Sequence, residues 1–207
     1  CPRTQTPSGD VTVDAASPPS VVEPDQSEET AVRILTDEEI ADGWIALFDG
    51  ETLFGWKHDN DADWRIEDRA IVVGKGEKGL LYTTSQFSDY VLKLDFRSQS
   101  GTNSGVFLST AVKPEDVTTD CYELNIAPPD NRFPTGSLCE RQRVEGIGES
   151  TEWRTFEVTA DGKNFLVKLD GRQILDYTDP KPIGRGYIGL QFRTGKIEFR
   201  NVKLRPL

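Results

Sequence analysis

Short runs in which apolar and polar residues alternate, separated by Gly, Asp and Asn, fill the sequence from Trp44 to the C-terminus. Alternation with a period of two puts successive side chains on opposite faces of a β-strand. Roughly a dozen such runs with almost no helical pattern predict an all-β fold, in which two antiparallel sheets pack as a sandwich or jelly roll. The predicted strands cover residues 44–48, 64–66, 70–73, 80–83, 90–97, 105–109, 121–126, 137–141, 153–159, 164–169, 173–177, 186–193 and 196–204.

The segment before these runs has a different composition. Residues 1–33 are rich in Pro, Ser, Thr and acidic residues, which bury too little apolar surface to offset the entropy of an ordered chain. We therefore expect a disordered linker of the lipoprotein type over 1–33 and a folded domain over 34–207. At their junction, Thr36 and Glu39 have the spacing of a capping box and predict one short helical turn.

The first residue suggests where the protein resides. Bacterial lipoproteins are processed after a signal peptide so that a lipid-modified cysteine becomes residue one, and Cys1 followed by a polar tether fits this pattern. The sequence has no run of about 18 apolar residues, so the lipid on Cys1 would be its only link to a membrane. We expect an extracytoplasmic protein, anchored at the bacterial cell envelope on the periplasmic side or the surface. An arbitrary cut in the chain is the alternative.

The remaining cysteines, Cys121 and Cys139, lie in strand-like runs on either side of one turn-rich loop. An extracytoplasmic location permits a disulfide, which we predict between them. Two small buried thiols are the alternative.

Charge and histidine content exclude several kinds of site. The formal net charge of −11 makes nucleic acid an unsuitable partner, because an acidic surface repels phosphate. A single histidine excludes a multi-histidine metal site within one chain. No cofactor is predicted. A structural divalent cation stays an open alternative, since Asp59, Asp61 and Asp63 have the spacing of a calcium loop but lack its Gly and Glu.

A polar surface suited to sugar hydroxyls is expected on one sheet. Period-two sorting turns outward the side chains of Arg97, Glu123, Asn125, Gln191 and Arg193, provided that their strands are neighbours. An ordinary solvated face with an ion pair is the alternative.

Other candidate sugar-binding residues lie in turns and loops. Asn103 and Ser104, in a turn-prone segment, would lie at the rim of the groove, or else in a plain hairpin loop. Trp56 is the tryptophan expected as an exposed sugar platform. His58 in the same polar stretch is counted with the substrate-binding residues, as a surface residue rather than a catalyst.

Six motifs in order along residues 43–207 resemble one family: Leu47-Phe48-Asp49-Gly50 with Leu53, Gly55 and Trp56; Phe96-Arg97 with residues 103–107; residues 122–126; residues 135–138; residues 186–191; and Phe199-Arg200-Asn201-Val202. Together they are similar to the 3-keto-disaccharide hydrolase family, also known as domain of unknown function 1080, within the concanavalin A-like lectin and glucanase superfamily.

This resemblance implies a concanavalin A-like jelly roll whose sugar site lies on the concave sheet. It also implies hydrolysis of glycosides whose sugar carries a ketone at C3, with Arg97, Asn103, Glu123 and Gln191 at the site. The sequence departs from the family where Asn125 replaces a usual Gln, and where Phe192 and Ser109 replace a frequent His and Arg. These departures bear on catalysis more than on the fold.

A C3 ketone acidifies the proton on C2, so one general base can start the reaction. Glu123 would abstract this proton, Arg97 or Asn103 would donate to the enolate oxygen, the C1 group would leave, and water would add. An oxidoreductase would have to supply the 3-keto sugar. The alternatives are a non-catalytic, lectin-like carbohydrate-binding lipoprotein and a structural or adhesion lipoprotein without a site.

Overall fold

The computed structural model describes Pro2, residues 33–58 and residues 60–207. Cys1 and nearly all of the predicted linker lie outside the described residues, so the linker and the lipid anchor stay predictions. The described part contains one helix and thirteen strands: α1 Asp37–Ala41, β1 Ile45–Ala46, β2 Trp56–His58, β3 Arg65–Glu67, β4 Ala70–Val73, β5 Gly79–Thr83, β6 Tyr90–Ser98, β7 Asn103–Thr110, β8 Tyr122–Ile126, β9 Arg154–Asp161, β10 Asn164–Leu169, β11 Arg172–Thr178, β12 Tyr187–Thr194 and β13 Ile197–Pro206. The described helix is too short to cross a membrane.

The strands form two antiparallel sheets, which confirms the predicted all-β sandwich. The larger sheet has eight strands in the order β11-β10-β9-β6-β13-β4-β3, with β1 also paired to β13. The smaller sheet has five strands in the order β2-β5-β12-β7-β8. Most neighbours in this order are distant in sequence, so long-range packing rather than local turns decides which polar residues meet.

The core lies between the two sheets and follows the predicted alternation. In β8, Tyr122, Leu124 and Ile126 are buried against it, and the alternate apolar residues of β12 are buried in the same way. Burial of one such side chain contributes about 1.5–3 kcal/mol. Because neighbours along a strand point to opposite faces, this packing fixes Glu123 and Gln191 on the other, concave face of the smaller sheet.

The local signals at the start of the domain are confirmed. Thr36 and Glu39 form both hydrogen bonds of the capping box, each 3.1 Å long, at the start of α1. Asp68 and Arg69, both with positive φ, make the tight turn of the β3–β4 hairpin. Two-residue hairpin turns need this backbone conformation to match the twist of the strands.

Two predicted elements are wrong. Residues 137–141 form a tight turn, in which Leu138 and Gln142 exchange backbone hydrogen bonds of 2.9 and 3.0 Å, rather than a strand. Conversely, the polar stretch that begins at Trp56 was expected as a loop but forms strand β2. This strand lies at the edge of the smaller sheet and pairs with β5. Its alternation is too short to be recognised from the sequence.

Candidate functional site

The candidate site lies on the concave face of the smaller sheet, where β8, β7 and β12 are adjacent. Asn125 of β8 pairs with Gly105 of β7, and Gly105 pairs on its other side with Gln191 of β12. Glu123, two residues from Asn125, is opposite Phe107. The expected adjacency therefore holds for the outward residues of β8 and β12.

Two adjoining cavities open over this face, with volumes of about 420 and 310 Å³. Both are lined by Val117, Glu123 and Arg193, so these three residues lie where the cavities meet. Volumes of this size are typical of small-molecule sites. The larger cavity is otherwise lined by Asn60, Glu77, Lys78, Gly79, Leu80, Phe107, Val112, Lys113, Pro114, Gln191 and Phe192. The smaller is otherwise lined by Asn103, Asn125, Asn131, Arg132, Phe133, Cys139 and Glu140.

Glu123 is a carboxylate with little exposure to solvent, since only 7% of its surface is accessible. Burial raises its pKa above the ordinary glutamate value, although hydrogen bonds from the Cys139 thiol and the Gln191 amide, and the positive charge of Arg193, act in the opposite direction. A carboxylate with a raised pKa between two cavities is suited to proton transfer.

Gly105 makes room for this carboxylate. A Cβ at position 105 would lie 3.3 Å from Cγ and 3.5 Å from Oε1 of Glu123, and 3.1 Å from the carbonyl oxygen of Leu124. The glycine thus lets the glutamate side chain lie flat over the neighbouring strand, toward Gln191.

Amide side chains surround Glu123. The Asn125 Nδ2 donates to the carbonyl oxygen of Phe133, while its buried Oδ1 accepts no hydrogen bond from the described residues. The buried Oε1 of Gln191 is also without a donor among them. Asn103 lines the smaller cavity. The predicted proximity of Asn103, Asn125, Gln191 and Arg193 to Glu123 is therefore confirmed, while their role in substrate binding stays a prediction.

Ser104 does not belong to this group. It is fully buried, and its hydroxyl donates to the carbonyl oxygen of Gln191 over 2.7 Å. It alternates with Asn103 and Gly105 and therefore points to the core side of the sheet. Its predicted role in substrate binding is wrong, because its hydroxyl joins β7 to β12.

The structure also contradicts the predicted catalytic role of Arg97. It lies on β6 in the larger sheet, where it forms an ion pair of 2.6 Å with Glu198 and stacks over Trp153 at 4.7 Å. Strand β6 has no neighbour in the smaller sheet, so Arg97 and Glu123 lie in different sheets. The predicted catalytic role of Arg97 fails for this reason, and Arg193 is the guanidinium that lies beside Glu123.

Trp56 and His58 are not site residues either. Trp56 is 6% exposed, belongs to the core and donates from Nε1 to the carbonyl oxygen of Leu47 over 2.6 Å. It is therefore no sugar platform. His58 is exposed on the edge strand β2, on the same side as Trp56, with its Nδ1 3.0 Å from the carbonyl oxygen of Asn60. Neither residue lines the two cavities.

The predicted disulfide between Cys121 and Cys139 is not formed, and both cysteines are buried free thiols. The reason is the register. Leu138 is opposite Leu124, and the Cys139 backbone N–H donates to the carbonyl oxygen of Glu123 over 3.0 Å. Cys139 is thus opposite Glu123 rather than Cys121.

The three departures from the family pattern lie in different places. Asn125 and Phe192 line the two cavities, whereas Ser109 lines a separate cavity with Ser88, Asp89 and Lys163. Ser109 therefore does not bear directly on the candidate site.

Within the described residues, no group of His, Cys, Asp and Glu side chains could hold a metal ion. Asp59 of the calcium-like spacing lies outside the described residues. The carboxylate of Asp63 accepts hydrogen bonds from the backbone of Gly74 and Lys75 and pairs with Arg65, so it serves the local structure.

Sequence reasoning missed Cys139, Val117 and Phe107 as site residues. Phe107 could have been found, because it alternates with the buried Val106 and Leu108 and so faces outward. Val117 belongs to a loop without a periodic signal, and Cys139 belongs to the run 137–141, which was predicted as a strand and is a turn. Only the tertiary structure brings them to Glu123.

Comparison with known proteins agrees with this architecture. The model of the 3-keto-alpha-glucoside-1,2-lyase-like domain matches residues 43–205. A 3-keto-disaccharide hydrolase from Bacteroides thetaiotaomicron is 33% identical over 79 residues, which is 32% of this chain and 27% of that protein, so the match spans about a quarter of its length.

Solved structures share the fold. A protein from Parabacteroides distasonis ATCC 8503, assigned provisionally as a glycosyl hydrolase, superposes with a TM-score of 0.72 at 22% identity, covering 84% of this chain and 98% of its own. The carbohydrate-binding module CBM66 from Bacillus subtilis has a TM-score of 0.57 at 16% identity, covering 73% of this chain and 95% of its own.

Proposed function

The chain belongs to the 3-keto-alpha-glucoside-1,2-lyase-like domain family, and from this premise we propose that it hydrolyses glycosides whose sugar carries a ketone at C3, with Glu123 as the general base. The names of its relatives support a carbohydrate as the ligand. The single observation that carries the proposal is the buried Glu123 carboxylate, with its raised pKa, at the meeting point of two cavities.

The proposed reaction needs one base and one oxyanion donor. Glu123 removes the proton on C2, and Arg193, beside it, stabilises the enolate that forms from the C3 ketone. The enolate then reforms the C3 ketone, and its electron pair forms the C1–C2 double bond as the C1–O bond breaks. The leaving oxygen takes the proton that Glu123 removed, which regenerates the carboxylate. Water adds across the double bond, with oxygen at C1 and a proton returned to C2, so the net result is hydrolysis.

The other carboxylates around the cavities favour this route over two-carboxylate hydrolysis. In the described lining, Glu140 is engaged by Arg132 through two hydrogen bonds of 2.9 Å. Glu77 is exposed at the edge of the larger cavity. Neither is a buried partner to Glu123, whereas elimination next to a ketone requires none.

The test is turnover of a 3-keto-disaccharide by the wild type and by Glu123→Gln. The variant keeps shape and hydrogen bonding but cannot accept the proton, so kcat should fall by about 10²–10⁴-fold. In D₂O, the wild type should also exchange the C2 proton of the substrate for deuterium, and the variant should not. Equal rates for the two proteins would exclude Glu123 as the base.

A lectin-like carbohydrate-binding domain is the second candidate. It is favoured by Asn125, which stands where the family usually has Gln, within the candidate site. If this second candidate is correct, wild type and Glu123→Gln should bind the sugar with similar affinity. Neither should release product or exchange the C2 proton.

The proposed substrate implies a preceding oxidation, because a sugar acquires a C3 ketone only from a reaction of the oxidoreductase class.

We also propose the extracytoplasmic, lipid-anchored location expected from Cys1. Globomycin-sensitive processing and labelling with a radioactive fatty acid, lost in Cys1→Ala, would test the anchor.

A further inference from the structure

Cys139 lies directly opposite Glu123. Its backbone N–H donates to the carbonyl oxygen of Glu123 over 3.0 Å, next to the bridge between Leu124 and Leu138. Side chains of residues that are opposite each other in an antiparallel pair lie on the same face and close together, so this register brings the Cys139 thiol beside the Glu123 carboxylate. Both residues line the smaller cavity.

The surroundings of Cys139 determine its protonation state. The thiol is buried, and its neighbours Glu123 and Glu140 are carboxylates, so both burial and charge raise its pKa. A thiol activated for nucleophilic attack requires the opposite environment, with a nearby cation or helix N-terminus. Cys139 therefore stays neutral and acts as a hydrogen-bond donor.

We infer that Cys139 is a positioning residue of the proposed hydrolase, whose neutral thiol holds the ionised carboxylate of Glu123 in place for abstraction of the C2 proton. This inference rests on the proposed function. Gln191 of β12 lines the larger cavity with Glu123 and also favours its ionised form. The carboxylate is thus held from two elements, the loop after β8 and strand β12, and its orientation does not depend on β8 alone.

The titratable groups that line the two cavities with Glu123, or whose charge acts on it, come from several elements. They are Arg193 of β12, Cys121 just before β8, Cys139, Glu140 and Arg132 of the loop after β8, Lys113 of the loop before β8, and Glu77 and Lys78 of the β4–β5 loop. Gln191 of β12 adds a neutral amide. Among these, Cys139, Gln191 and Arg193 favour the ionised form of Glu123. Removing one of them should move the titration of Glu123 to higher pH.

The test compares Cys139→Ala with Cys139→Ser, which have nearly the same size and differ in the donor. In Cys139→Ala, the acid limb of the kcat–pH profile should shift to higher pH, and kcat at neutral pH should fall about ten-fold or more, since a hydrogen bond to a charged group is lost. Cys139→Ser should restore both. Melting temperatures of the two variants measure any common effect of the smaller side chain.

A second readout does not depend on hydrolysis. The carboxyl carbon of Glu123, labelled with ¹³C and assigned through Glu123→Gln, should titrate at higher pH in Cys139→Ala than in the wild type and in Cys139→Ser. Identical titrations and identical acid limbs in the Ala and Ser variants would overturn the inference. A wild type that titrates as expected but hydrolyses no 3-keto-glycoside would overturn the proposed function instead.

Discussion

The side chain of Glu123 lies across Gly105 of the neighbouring strand, with its Cγ 3.3 Å from the point that a Cβ on the glycine would occupy. This close approach brings the carboxylate near Gln191, two strands away in the sheet. The orientation of the proposed base thus depends on a glycine that itself has no chemical function.

Gly105→Ala should therefore displace the carboxylate and lower kcat on a 3-keto-disaccharide. A misplacement of about 1 Å can cost on the order of 100-fold in rate. Gly189→Ala is the matched control, because its new Cβ would lie 3.2 Å from Phe107 on the same face without touching Glu123. A Gly105→Ala variant as active as this control would contradict the expectation.

The stability of the protein should reveal the raised pKa of Glu123. A folded-state pKa above the unfolded value, about 4.3 for Glu, means that the native state binds more protons in this window, so stability falls as pH rises through it. A glutamine at this position stays neutral at every pH and therefore avoids the cost of a buried negative charge. Glu123→Gln should therefore raise the melting temperature relative to wild type near pH 7 and raise it less near pH 4. A pH-independent difference between the two melting curves would argue against the raised pKa.

Two arginines distinguish the site defined by the structure from the one predicted from motifs. Arg193→Ala should lower kcat by about 10²–10³-fold, as expected when an oxyanion donor is removed. Arg97→Ala removes the same charge from the larger sheet, where Arg97 pairs with Glu198, and should leave kcat unchanged. Its cost in stability should be about 1.5–3 kcal/mol, the usual contribution of a hydrogen bond to a charged group. Glu198, whose side chain is only 12% exposed, would still keep its ion pair of 2.9 Å with Lys196. Steady-state kinetics of both variants, with thermal melts, would check this pair.

The wall of the site depends on a buried ion pair. The side chains of Arg141 and Asp179 are 6% and 8% exposed and 3.5 Å apart, and Arg141 also donates to the carbonyl oxygen of Val117 over 2.6 Å. Asp179→Ala leaves the guanidinium without its partner, so we expect a loss of about 3–5 kcal/mol in the free energy of unfolding. Because Val117 lines both cavities, the KM should also rise.

The pH dependence of this pair has the opposite sign to that of Glu123. Burial raises the pKa of Asp179, but hydrogen bonds from Lys181 and Tyr122 and the charge of Arg141 outweigh it, so the pKa is lowered. The stabilisation is present above the unfolded pKa and is lost as pH falls through the folded one. Urea unfolding of wild type and Asp179→Ala should therefore converge on acidification, and a constant gap would contradict the assignment.

Local structure and the sorting of side chains between the two faces of each strand follow directly from the amino-acid sequence. Alternation put Leu124 inward and Glu123 outward, and the spacing of Thr36 and Glu39 predicted the capped helix. Alternation also put Asn125 and Gln191 on the outward face, and the family motifs included Gln191 among the site residues. These features depend on residues only a few positions apart, because the pleat of a strand and the first turn of a helix are local geometries.

Which strands are neighbours, and in what register they pair, depends on the folded arrangement of the two sheets. Arg97 and Glu123 are both outward by alternation, yet they lie in different sheets. Cys139 lies opposite Glu123 rather than Cys121 because of the register of one loop. Alternation carries no information about pairing partners, since any outward residue satisfies it equally. The pairing is set by how two whole sheets bury their apolar faces together, a property of contacts between residues far apart in the chain.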